Sequence, residues 1–230
     1  MPDLIPSLKN TLFAPAFEIS KDFLEIGLDS LLEDPILTEV PIVNTLASLC
    51  KVGYNLRERN LINQLIRFIY AFNNGTISPG DLEKHRLELD GNPKKAEQEL
   101  SRILLILDST IDIEQSEVLG RFYRAYINGL ISWSLFFELS EANRRIFTCD
   151  YTLLQHIFIK DSLQLHASEL YQTDRLISLG LVQRMRPDEL VSAELAAALH
   201  YGKVLFLSPL GKSFCKLAEF SSSAPRQSIQ

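Results

Sequence analysis

The sequence of 230 residues predicts a mainly α-helical protein, and three observations support this prediction. The chain contains 39 Leu and 20 Ile but only 7 Val, and leucine favours helices whereas β-branched valine favours strands. Glycine accounts for only 10 residues, below its usual share of about 7%. Apolar residues recur every three or four positions along much of the chain, which is the spacing of amphipathic helices.

The individual elements follow from this spacing and from residues that begin or end helices. The predicted helices cover residues 17–33, 41–56, 60–72, 79–90, 94–107, 113–127, 132–147, 151–160, 167–179, 187–200 and 209–220. Ser78 and Pro79 are typical of a helix start, as cap and first residue. Asn74-Gly75 and Gly180 end the helices before them. Alternating residues predict two short strands, 181–186 and 203–207, which would form a two-stranded wing.

The order of these elements predicts two domains. An irregular arm, residues 1–16, precedes a helical domain, residues 17–148. A smaller α+β domain, residues 149–220, is followed by a flexible tail, residues 221–230. The charge is unevenly divided, because residues 1–150 carry 22 acids and 15 bases whereas residues 151–230 carry 7 acids and 8 bases.

Composition also limits the class of protein. With 46% hydrophobic and 23% charged residues and a net charge of −6, the chain is typical of soluble globular proteins, not of disordered, collagen-like or strongly basic nucleic-acid-binding chains. The three cysteines form no CxxC pair, which predicts a reducing compartment without disulfides. Without a signal-peptide pattern or a spanning apolar run, we expect a cytoplasmic protein.

The helical domain contains an internal repeat. Residues 65–78 align with residues 119–132 without gaps, and both copies read helix, Asn-Gly, one residue, Ile, Ser, helix. This frame resembles an EF-hand loop, which has glycine at its sixth position and an apolar residue at its eighth. The first and third positions hold Tyr70 and Phe72 in the first loop and Arg124 and Tyr126 in the second, and these side chains cannot replace carboxylates. The twelfth positions hold Asp81 and Leu135. We therefore predict duplicated EF-hand-like units that serve packing and bind no calcium.

The C-terminal domain carries two motifs of the winged-helix family. Residues 176–184 contain L-x-x-x-G-L-V-x-R, and residues 207–214 contain L-S-x-x-G-x-x-F. The domain resembles that family, although only one predicted helix precedes Gly180 and a helix, residues 187–200, replaces the wing. Between Asp161 and Gly180 the charges are acidic on balance, which disfavours DNA binding and favours protein contact.

The complete arrangement resembles uncharacterised bacterial proteins, some of them linked to abortive infection. That resemblance implies a bacterial context in phage defence. The sequence contains no zinc-protease, phosphate-loop, nucleophile-elbow or Rossmann pattern, so we predict no catalytic residues, no cofactor and no metal. The leading expectation is a non-enzymatic interaction or regulatory protein that binds a protein partner or itself.

Two alternative functions remain open: a membrane-acting effector that uses the helix in segment 41–59, and a winged-helix DNA-binding regulator. Segment 41–59 places apolar residues at helical spacing before two arginines, which is typical of a core helix or of one that docks on a partner or a membrane surface. A DNA-binding regulator would use the basic residues that follow Gly180. The candidate interaction residues are Ile42, Leu46, Leu49, Arg57, Arg59, Arg184 and Arg186.

Overall fold

The computed structural model describes residues 4–13, 40–49, 56–164, 170–184 and 204–220. These residues are mainly helical, as predicted, with a small antiparallel sheet. Their contacts divide the chain into two compact units, Met1–Ser140 and Glu141–Gln230. The sequence had placed this boundary slightly later, between residues 148 and 149. No helix in the described ranges is long and apolar enough to span a bilayer.

Helices build the described part of the first unit. They are α1 (Leu4–Phe13), α2 (Pro41–Leu49), α3 (Leu56–Asn73), α4 (Pro79–Gly91), α5 (Pro93–Asp108), α6 (Ile113–Ile127) and α7 (Trp133–Arg145), of which α7 crosses into the second unit. The predicted helices from residue 60 to residue 147 are all present, with ends shifted by a few residues. At the start of α4, the Asp81 N–H donates to the Ser78 hydroxyl, so the predicted cap is confirmed.

Helix α1 corrects the expectation of an irregular arm. Pro6 lies in the first turn, where a backbone N–H has no partner within the helix, so the ring breaks no hydrogen bond. Leu4, Leu8 and Leu12 are buried on one face of this helix. Its contacts are mainly with α2, where the Ile42 N–H donates to the Thr11 hydroxyl at 3.1 Å.

Helices α3 and α6 form the centre of the first unit. Gly120 lets them approach closely, since a Cβ at this position would lie 2.5 Å from the Phe68 carbonyl oxygen. Beside this crossing, Phe68, Phe72 and Tyr123 are fully buried, with ring centroids 5.5 to 6.4 Å apart. Phe136 of α7 adds a fourth ring, 5.7 Å from Tyr123. Each aromatic ring pair contributes about 0.5–1.5 kcal/mol to stability, beyond the contribution from buried apolar area.

The two repeated loops are joined by side chains. The Asn128 amide accepts from the Ser78 N–H at 3.0 Å and donates to the Thr76 carbonyl at 2.9 Å. The Arg124 guanidinium donates to the carbonyls of Ala71 and Asn74. Both residues belong to the second copy of the repeat and bond to the backbone of the first copy.

The second unit combines helices with a three-stranded sheet. Its described elements after α7 are α8 (Thr148–Lys160), β1 (Leu163–Gln164), α9 (Leu170–Ser178), β2 (Val182–Arg184), β3 (Val204–Leu207) and α10 (Pro209–Leu217). The strands lie in the order β1–β3–β2 and are antiparallel, with Leu205 opposite both Leu163 and Arg184. Strands β2 and β3 match the two predicted strands, and β1 is an addition. The predicted helix over residues 187–200 lies outside the described residues, as do the predicted helix over residues 17–33 and the tail.

The two C-terminal sequence motifs contact each other. Gly180 adopts a positive φ of 71° after α9, and its carbonyl accepts from the Ser208 hydroxyl. The same hydroxyl accepts from the Gly211 N–H at 2.9 Å and so caps α10. A Cβ on Gly211 would lie 1.9 Å from the Leu181 carbonyl oxygen. Glycine is therefore required where α10 meets the chain that enters β2.

Candidate functional site

An open groove on the first unit is the candidate functional site. It has a volume of about 1010 Å³ and lies along α5, beside the start of α7. Its lining residues are Lys95, Gln98, Glu99, Ser101, Arg102, Leu105, Tyr126, Trp133, Ser134 and Phe137. We call this surface the aromatic groove.

Helix α5 contributes one side of the groove through two adjacent faces. Ala96, Leu100, Ile103 and Leu107 recur at helical spacing and are buried in the core. The adjacent face of the helix lines the groove with Gln98, Arg102 and Leu105. Leu105 is 65% exposed, which is unusual for a leucine beside a core stripe. The apolar surface of the groove is thus available for contact.

Aromatic rings form the opposite side. Trp133 stacks on Phe136 with ring centroids 4.9 Å apart and lies 5.2 Å from Tyr126. One turn further along α7, the Phe137 ring lies beneath the Arg102 guanidinium carbon at 4.6 Å. This cation–π contact places the guanidinium against the aromatic wall.

A buried carboxylate lies at the floor of the groove. Oε1 of Glu99 accepts from the Tyr123 hydroxyl at 2.7 Å and lies 2.7 Å from Nε2 of His85. Glu99 is only 3% exposed, so these partners replace the water that a carboxyl group normally binds. Burial, reinforced by the Glu99 carboxylate, raises the pKa of Tyr123 and of Tyr126 well above the ordinary tyrosine value. Both phenols are therefore neutral donors at physiological pH.

The electrostatics of the groove favour an anionic ligand. Lys95 lines the groove, but its ammonium group pairs at 2.6 Å with Glu88, which does not line it. Within the described ranges no carboxylate pairs with Arg102, whose guanidinium lies over the Phe137 ring. A stacked guanidinium keeps its in-plane N–H groups free to bind a carboxylate in a bidentate manner.

No metal centre is found in the described part of the chain, where no three His, Cys, Asp or Glu side chains are grouped to hold an ion. Two acidic residues at the junction between α5 and α6 pair with arginines of α3. Asp108 pairs with Arg57, and Glu117 lies 3.3 Å from Arg67. The junction between α5 and α6 is thus tied to α3 by ion pairs.

The sequence-predicted interaction residues of segment 41–59 have different environments. Ile42 is fully buried. Leu46 and Leu49 belong to α2, but their side chains lie outside the described residues. Arg57, whose side chain is 75% exposed, pairs with Asp108, and this hydrogen-bonded pairing raises the arginine pKa. Arg59 is half-buried in the first turn of α3.

The remaining candidates, Arg184 and Arg186, belong to the second unit. Arg184, at the end of β2, donates to Asp174 of α9 at 2.8 Å. Arg175 is bound in a bidentate manner to the fully buried Asp150, and that interaction raises the arginine pKa. Arg186 lies outside the described residues.

Sequence reasoning missed the aromatic groove, although one local signal for it existed. Glu99 occupies the buried face of an amphipathic helix, three residues after Ala96 and one before Leu100. A carboxylate in such a position requires partners, which marks a polar cluster. Comparisons with protein-family models, curated proteins and solved structures find no match to this chain, so the assignment of function depends on the geometry alone.

Proposed function

We propose that this chain is a non-enzymatic interaction or regulatory protein of the bacterial cytoplasm, and that the aromatic groove binds its protein partner. The composition of the groove carries this proposal. Its walls are aromatic and aliphatic, its rim offers the Arg102 guanidinium, and its buried carboxylate already accepts from internal donors. Aromatic residues and arginine are the residue types most enriched at the energetic centres of protein interfaces.

The burial and the hydrogen-bond partners of Glu99 support a role of the groove in binding rather than in catalysis. A general acid or base must reach the substrate proton directly or through one water. Glu99 is 3% exposed, and its Oε1 is engaged by Tyr123 and His85, which belong to α6 and α4. The carboxyl group thus joins three helices beneath the groove and holds the wall in place.

For the second unit we propose a winged-helix-like fold used for protein contact. The strand order β1–β3–β2, the position of α9 before β2 and the contact between the two motifs support this assignment. Arg175 and Arg184 both face carboxylates, Asp150 and Asp174, which reduces the charge they would offer to DNA phosphates. The repeated loops, which we propose to be EF-hand-like units without calcium, serve packing.

The proposed partner can be trapped from inside cells by a photo-crosslinking amino acid. When this amino acid replaces Gln98, which lines the groove, we expect one discrete adduct with another protein. At Glu97, the exposed neighbour that does not line the groove, we expect none. Equal adducts at both positions, or an enzymatic activity of the purified chain that is abolished by Glu99→Gln, would overturn the proposal.

The resemblance to abortive-infection proteins extends the proposal to phage defence. Bacteria that express the chain should plate a phage panel less efficiently than cells without it. A Phe137→Asp variant should lose this protection, because the new carboxylate disrupts the aromatic wall opposite Arg102. Unchanged plating with the wild-type chain across the panel would refute the phage-defence part alone.

A further inference from the structure

We propose that the aromatic groove binds an acidic amphipathic helix of the partner protein. A carboxylate of that helix pairs with Arg102, and its apolar face packs against Leu105, Trp133 and Phe137. This inference rests on the proposed function, and it adds the chemistry of the bound segment.

The shape of the groove favours a helix over a compact ligand. Lining residues on α5 run from Lys95 to Leu105 at helical spacing, which is about 15 Å at ~1.5 Å per residue. Small-molecule sites usually enclose most of the ligand surface, whereas this groove is partly open to solvent. A second helix of about three turns matches the trough and would place residues i, i+3 or i+4, and i+7 against it.

Charge complementarity identifies the acidic character of that helix. Arg102 is held over Phe137 with its N–H edge free, and no carboxylate in the described ranges pairs with it. The carboxylate at the floor, Glu99, is shielded by burial and by its two donors. An incoming Glu or Asp would therefore meet a guanidinium already positioned on the wall, and the helix packed over it would exclude water, the condition that makes charge-assisted pairs strong.

A single-stranded nucleic acid also combines negative charge with rings that stack on aromatic side chains. Such a ligand requires a track of cations that follows its phosphates. The groove offers only Arg102 as a cation without a described carboxylate partner, because Lys95 is engaged by Glu88. The peptide helix is therefore the favoured occupant.

A displayed library of random 12-residue peptides tests this inference on the full-length chain. We expect enrichment of sequences that combine Glu or Asp with apolar residues at helical spacing. Trp133 is the only tryptophan of the chain and lines the groove, so its fluorescence reports binding of the enriched peptides directly. Arg102→Ala should weaken their binding by about tenfold to hundredfold.

Arg86→Ala is the matched control. Arg86 is an exposed arginine of α4 that pairs with Glu83 outside the lining, so its loss should leave the affinity unchanged. Both substituted side chains are exposed, and circular dichroism verifies that the variants fold. If both substitutions weaken peptide binding equally, binding depends on the overall charge of the protein and not on Arg102, and the inference is overturned.

Three further results would also overturn the inference: no enriched consensus, a basic consensus, or oligothymidine that binds at Trp133 more tightly than every peptide. The crosslinking result separates these failures from failure of the proposed function. A discrete adduct at Gln98 with no acidic consensus means that a partner of other chemistry occupies the groove. Absence of both results removes the aromatic groove as a binding surface.

Discussion

Replacing Gly120 by alanine tests whether the crossing of α3 and α6 organises the first unit. A Cβ at this position would lie 2.5 Å from the Phe68 carbonyl oxygen and 3.1 Å from both the Ala71 Cβ and the Phe72 nitrogen. Two of these three atoms are backbone, so rotation of a side chain cannot relieve the contact. The helices must separate instead.

The required separation sets the energetic cost. Carbon–oxygen contacts between backbones ordinarily close to about 3.3 Å, so the helices must move apart by about 0.8 Å. Overpacking of this kind costs about 1–3 kcal/mol, and the gap weakens dispersion contacts among Phe68, Phe72 and Tyr123. Because alanine favours a helix more than glycine does, the substitution also stabilises the helix by about 1 kcal/mol. The expected net loss in free energy of unfolding is therefore about 1 kcal/mol, and at most about 2 kcal/mol.

Urea unfolding followed by Trp133 fluorescence measures this loss, because the tryptophan lies in the first unit. Gly91→Ala is the control, since nothing lies within 4 Å of a Cβ there. The control should be neutral or should stabilise the first unit by up to about 1 kcal/mol. If Gly120→Ala proves as stable as Gly91→Ala, the close crossing does not exist and the packing argument fails.

Three further predictions concern both units. Gly211→Ala places a methyl group against the Leu181 carbonyl, so hydrogen exchange should show that amides of the second unit lose protection. Unchanged protection would contradict the close contact between Gly211 and Leu181. Glu99→Leu leaves the buried Tyr123 hydroxyl without its acceptor and should lower the stability of the first unit by about 1–3 kcal/mol in urea unfolding; unchanged stability would contradict a structural role. Burial raises the pKa of the Cys215 thiol from 9.0 to about 12, so the unfolded thiol ionises first. The stability of the second unit should therefore hold below pH 9 and fall by about 1.4 kcal/mol per pH unit above it. A Cys215→Ala variant should lack this slope, and the same slope in both proteins would attribute it to other groups.

Local signals in the sequence predicted most of the described helices. The prediction for residues 113–127 matches α6 at both ends, and residues 94–107 differ from α5 by one residue at each end. Apolar spacing, prolines at helix starts and the Ser78 cap act within a few residues of the chain, so they can be recognised without the fold. Strand β1 escaped prediction because two residues cannot display a period, and it exists only through pairing with β3.

The candidate site was less predictable because it is tertiary. Arg102 and Phe137 are far apart in sequence, and no spacing rule links them. The residues that the sequence did single out were chosen only because they are apolar residues at helical spacing or basic residues. Ile42 is buried, and Arg57 and Arg184 are paired with acids. Exposure and charge compensation are properties of the folded chain, and a linear pattern does not contain them.

The internal repeat explains why the groove lies beside the second loop. The two copies are used unequally: Arg124 and Asn128 bond to the backbone of the first loop, whereas their counterparts, Tyr70 and Asn74, bond to each other at 3.1 Å. A guanidinium thus binds carbonyl oxygens of the first loop, and it occupies the space that a Cβ on Gly75 would require. This link fixes the second loop, from which α7 continues and places its aromatic side chains opposite α5. The duplication therefore contributes, through packing, to the position of one wall of the groove.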